Sequence, residues 1–220
     1  MTMSATTGAA SESQTWDQID LYRFFAFALA SPSRETFQWF SRPETPHLLQ
    51  QLWQALPCEG ELPGFCWFAD FADYEGAYIT LFDAGLPEPP VPLFESAHDK
   101  TRPPQELVLE NTYFYDLLGL RTDAGRSVPD YLLTQLEFLA ALGYARDNAT
   151  DPASAASLAR AEREFLERHL LNWIPTARRK LAKLEALAFP ALLALLEGFL
   201  KARLQDAKDA PGADACGGSS

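Results

Sequence analysis

The chain has 220 residues, 47% of them hydrophobic, with a formal net charge of −12 and a pI near 4.6. That length suits one domain with a sizeable core, and so acidic a surface disfavours nucleic acid and anionic membrane while favouring a cationic ligand. Cys58, Cys66 and Cys216, odd in number and without paired spacing, make neither a disulfide framework nor a zinc site and point to reduced thiols in a cytoplasm.

Residues 1–14 are small and polar, lack the basic-then-apolar order of a secretory signal, and read as a disordered tail. Thr15 and Gln18 fit a capping box that opens the first helix, in which Ile19, Phe24, Phe27 and Ala28 recur at helical spacing. Ser33 caps a short helix through Phe40, and Thr45 with Pro46 supplies an N-cap and first position for a third. After Pro63 and Gly64 a long helix is expected over 65–83. A loop follows that holds Pro87, Pro89, Pro90 and Pro92 before "LFESAHD".

Pro103 and Pro104 begin the next helix, which stops near Gly119, and 121–127 is a turn-rich loop. Pro129 at the first helical position opens "DYLLTQLEFLAAL" and puts Asp130 in the first turn. A helix over 154–172 and another opened by Pro175 come next. The apolar stretch from Leu184 to Leu200 is a core helix bent or broken at Pro190, and 206–220 is a second disordered tail. No run of 18 apolar residues is present, so no membrane span is expected. No stretch alternates as a strand. The reading is all-α: one compact domain over 15–205, a bundle of roughly eight to ten helices.

Charge is unevenly placed. Residues 1–99 hold 3 basic and 14 acidic side chains, whereas 160–183 hold 7 basic and 3 acidic. A cationic partner should therefore prefer the first half. The proline-rich loop either routes a connection or, because proline restricts it to few shapes, walls a peptide groove beside aromatic side chains. In the helix after Pro129, Asp130 and Glu137 fall near one face, either as solvent-facing charge or as a carboxylate pair for guanidinium groups.

His47, His98 and His169 are scattered without ligand spacing, so no metal site is expected. Ser96 lies between Glu95 and His98, but sequence neighbours on a loop rarely form a triad and no nucleophile elbow is present. A turn serine is the plainer reading.

Three stretches together resemble the TorD/DmsD/NarJ-type redox-enzyme maturation chaperones: "YEGAYITLFDAGLPEPPVPLFESAHD", "VPDYLLTQLEFLAAL" and "FLERHLLNWIP". They occur in the expected order over residues 16–205. The resemblance implies an all-helical, cytoplasmic, non-enzymatic protein. It would bind the twin-arginine signal peptide of a molybdenum-containing oxidoreductase catalytic subunit until the molybdopterin cofactor is inserted. This chain would bind no cofactor itself, and no nucleic acid or membrane.

Carried over position by position, the peptide-facing residues are Tyr78, Leu81, Phe82, Pro90, Phe94, Glu95, Ser96, Asp130, Tyr131 and Glu137. Tyr131 stands where the family's pattern has histidine, which leaves Asp130 as the clearer charge partner. "ESAHDKTRPPQELVLENTYFYDLLGL" is most similar to the branch serving type II dimethyl sulfoxide reductase-family enzymes. Two other functions fit less of the sequence: a helical subunit retained in a mature complex, separable by co-purification with finished enzyme, and a hydrolase using Ser96 and His98, separable by Ser96-dependent turnover.

Overall fold

Side-chain caps and prolines set most helix boundaries. The computed structural model describes residues 18–120 and 128–209. Its helices are α1 (Gln18–Ala28), α2 (Arg34–Phe40), α3 (Thr45–Ala55), α4 (Phe71–Tyr78), α5 (Glu95–His98), α6 (Pro104–Asp116), α7 (Leu132–Asp147), α8 (Pro152–Phe165), α9 (Leu171–Leu181) and α10 (Phe189–Asp209). Wide π-type turns at Ile79–Asp83 and Leu166–Leu170 extend α4 and join α8 to α9. With α8 and α9 taken as one rod, nine helices stand among the described residues, within the expected range, and the fold is all-α. The one β-type pairing there is an isolated antiparallel bridge between Phe94 and Tyr131.

Ser33 caps α2 as expected, its hydroxyl accepting the Thr36 N–H at 3.0 Å. Asp70 and Asp151 cap α4 and α8 in the same way at 2.9 and 2.8 Å. Each such cap contributes about 1 kcal/mol.

Several boundaries differ from the sequence reading. The Asp70 cap starts α4 at Phe71, so 65–70 is not helical. Thr45 is inside α3, not its cap, and its hydroxyl donates to the Trp39 carbonyl at 3.0 Å. Pro175 lies within α9 instead of opening it. The Leu184–Leu200 stretch is not one helix: α10 starts at Phe189, with Pro190 in its first turn, and runs on to Asp209. The Thr15 capping box, the 121–127 loop and both extreme tails lie outside the described residues.

α10 is the central element. Residues 191–200 are all buried, as its near-continuous apolar sequence requires. Tyr22 and Phe25 of α1 pack on Phe199, with ring centroids 4.8 and 5.7 Å apart. At the other end Phe68, Tyr78 and Phe82 surround Phe189 at 5.5, 6.1 and 5.0 Å. Aromatic pairs of this kind contribute about 0.5–1.5 kcal/mol each beyond area burial. Phe82 thus ties the start of the proline-rich loop to the core.

Buried charge joins the helices where α1, α7, α8 and α10 meet. Glu162 accepts hydrogen bonds from Tyr22 Oη at 3.0 Å, Arg203 Nη2 at 2.8 Å and Arg146 Nη1 at 2.7 Å.

Candidate functional site

The proline-rich loop is held at both ends. Val91 N–H donates to Leu81 O in the wide turn after α4, at 3.0 Å. Glu95 N–H donates to Asp130 O and Leu132 N–H to Leu93 O, both at 2.9 Å, forming the bridge that carries Phe94 and Tyr131. Their rings sit 5.0 Å apart. Gly85 is required between these anchors, because a Cβ there would collide with the backbone of Glu88 and Pro89. The proline-rich loop and the segment that opens α7 are therefore stitched directly together.

Glu95 is fully buried at the centre. Its carboxylate accepts from Arg102 Nη2 at 3.1 Å, Asn111 Nδ2 at 2.9 Å, Gln135 Nε2 at 2.8 Å and His169 Nδ1 at 3.0 Å. Those donors come from the loop before α6, from α6, from α7 and from the wide turn between α8 and α9. Gln135 in turn accepts from Trp173 Nε1 at 3.2 Å. Tyr115 Oη donates to Pro129 O at 2.5 Å, fixing the approach to α7.

Asp130 is also buried, and it precedes α7 instead of lying in its first turn. Its carboxylate accepts Ser96 N–H at 3.1 Å, an N-terminal amide of the four-residue α5. The first-turn placement expected from Pro129 therefore does not hold, because the helix starts two residues after Asp130. Asp99 binds Arg102 and Asn172, each at 2.9 Å. The three sequence stretches singled out above converge on one buried polar network, in which Glu95 gathers side chains from several segments and Asp130 holds the α5 backbone, instead of either facing solvent.

Tyr78, Leu81 and Phe82 are buried, Phe94, Ser96 and Tyr131 are half-buried, and Pro90 and Glu137 are exposed. Tyr78 Oη donates to Leu29 O at 3.0 Å. Desolvation pushes the Tyr78 and Tyr131 phenols above the ordinary tyrosine value, so both remain neutral.

An open hollow of about 590 Å³ lies over this network, lined by Phe82, Asp83, Glu88, Pro89, Pro92, Phe94, Ser96, Ala97 and Lys100. Three of the ten expected residues, Phe82, Phe94 and Ser96, line it. Lys100 Nζ is tethered to Ser96 O at 3.0 Å. Its two carboxylates, Asp83 and Glu88, were missed in the sequence. Both stood inside the quoted "LFDAGLPEPP", where only the folded loop separates them from the other acids. Partial burial raises the Asp83 carboxyl above the usual aspartate range.

His98 does not serve Ser96. Its Nε2–H donates to Pro92 O at 2.7 Å, its ring stacks on Trp173 at 5.3 Å, and Nδ1 is buried without a partner. Burial lowers its pKa from 6.5 to about 4, against the opposing pull of the Pro92 bond. The unfolded chain takes up this proton first. Stability is thus full above pH 6.5 and declines as pH falls from 6.5 to about 4. His98→Gln should flatten that decline in urea melts across the interval; an unchanged slope would contradict the assignment.

Among the described residues no group of three or more His, Cys, Asp or Glu is arranged to hold a metal ion. None of their helices is long and apolar enough to cross a membrane.

Residues 46–179 match the family model described as "Nitrate reductase delta subunit". The chain belongs to this family. As a delta-subunit family member it takes its place among the TorD/DmsD/NarJ-type redox-enzyme maturation chaperones. A perchlorate reductase assembly chaperone from Dechloromonas aromatica (strain RCB) is 32% identical over 84% of this chain and 88% of its own. A selenate reductase assembly chaperone from Thauera selenatis is 34% identical over 49% of this chain and 56% of its own. A chlorate reductase assembly chaperone from Ideonella dechloratans is 33% identical over 50% and 58%.

Proposed function

We propose that this family member is a cytoplasmic chaperone for the catalytic subunit of a molybdenum-containing oxidoreductase. It receives that subunit's twin-arginine signal peptide in the hollow between α4, the proline-rich loop and α5, and holds the subunit until the molybdopterin cofactor is inserted. The client belongs to the type II branch of the dimethyl sulfoxide reductase family. The names of the relatives, which assemble perchlorate, selenate and chlorate reductases, support that branch.

The observation that carries the reading is the hollow itself. Its aromatic wall, Phe82 and Phe94, suits the apolar part of a signal peptide, and Asp83 and Glu88 stand beside it for cations. Glu95 and Asp130 act behind the wall by fixing its shape. Preorganisation of this kind lowers the ordering cost of binding.

A fluorescent twin-arginine peptide should bind saturably, more weakly at raised salt. Asp83→Asn with Glu88→Gln should weaken it at least about tenfold, or ~1.4 kcal/mol. Because the Asp83 carboxyl is raised, affinity should also fall at a higher pH than an ordinary aspartate would give. Equal binding of Lys-Lys or Ala-Ala peptides would rule out guanidinium reading.

A further inference from the structure

α6 is apolar on two sides. Leu107, Phe114 and Tyr115 face the core, whereas Leu109, Tyr113 and Leu117 are 54%, 65% and 59% exposed on the opposite side. Spacing of four residues aligns these three on one face. Exposed Glu106 and Asp116 lie on that same face, one at each end, about 15 Å apart at the helical rise.

The rest of this chain supplies little to cover the stripe. Residues 121–127 and 210–220 contain no large apolar side chain, and 1–17 contain only Met1, Met3 and Trp16. A second copy fits poorly. Antiparallel pairing that sets Leu109 of each copy against Tyr113 of the other would also set Glu106 of each against Asp116 of the other, two like-charge contacts. Anionic lipid would meet the same repulsion.

We infer that the outer face of α6 is a docking surface for a cationic amphipathic segment of another protein, whose apolar face covers Leu109, Tyr113 and Leu117 and whose basic ends meet Glu106 and Asp116. This surface is independent of the hollow. It would let the chaperone hold a second part of a client while the hollow is occupied, and two tethered contacts raise effective concentration without either being tight.

The test uses the full chain and a synthetic helical peptide with leucines on one face and lysines at both ends of it, followed by anisotropy. Saturable binding is expected. Leu109→Ser/Tyr113→Ser/Leu117→Ser should weaken it at least about tenfold with unchanged Tm, because the replaced side chains are exposed. Glu106→Gln/Asp116→Asn should weaken it and flatten its salt dependence. Asp83→Asn/Glu88→Gln should leave it unchanged, which separates this surface from the hollow.

The inference is overturned if the lysine peptide does not bind, if a glutamate-ended counterpart binds equally, or if the triple serine variant binds as well as the original. It is overturned in favour of a second copy if sedimentation shows a dimer that the triple variant abolishes. Phosphatidylglycerol vesicles binding the original chain but not that variant would make the surface a lipid site instead.

Discussion

Glu95→Ala is expected to destabilise the protein by about 3–5 kcal/mol, a large share of the ~5–15 kcal/mol typical of a domain. The carboxylate is fully buried and is the common acceptor for Arg102, Asn111, Gln135 and His169. Alanine leaves buried donors from several segments without an acceptor, and only Arg102, which is part-exposed, can turn to water. Glu95→Gln keeps the volume and one acceptor oxygen and should cost less, yet it brings an NH₂ against existing donors. Chemical denaturation of both variants checks this order. Near-wild-type stability of the alanine variant would show that the network does not hold α6, α7 and the α8–α9 rod together.

Glu162→Ala carries the second large effect, about 3 kcal/mol. Glu162 is buried among α1, α7, α8 and α10. Arg203, also buried, donates two bonds to Glu162 Oε1, at 3.1 and 2.8 Å. Its second ion pair, to exposed Asp206 at 2.9 Å, compensates weakly. Tyr22 Oη loses its acceptor as well, while Arg146 can pair with Asp147 near the surface. The double variant Glu162→Leu/Arg203→Met, which removes both buried charges, should recover part of the loss, since a missing partner is costlier than a missing pair. Thermal melts of the single and double variants measure this directly. A double variant as unstable as the sum of its singles would contradict it.

Local chemistry was legible in the sequence wherever one residue decides a boundary. Ser33 before α2 and Pro104 at the head of α6 read correctly, and Gly119 lies just past the end of α6 with φ +66°. Non-local decisions were not legible. Pro129–Asp130 has the form of a helix start, but Asp130 is claimed by Ser96 N–H, 34 residues earlier, and the helix begins at Leu132. Glu95 reads as a loop carboxylate until α6, α7 and α9 close around it. Glu162 is one acid in "ARAEREFLERH", distinguished only by the Tyr22 and Arg203 that reach it across the fold. The site followed the same pattern. The stretches that matter were visible, but which of their acids are buried and which line the hollow is fixed by tertiary packing.

The most direct measurement of the central claim is photo-crosslinking by a twin-arginine signal peptide with a photoreactive residue beside the arginine pair. The account predicts labels within 82–100 and near Tyr131, lost when Phe94→Ala and Asp83→Asn are combined. Labels concentrated elsewhere, with that region untouched, would contradict it.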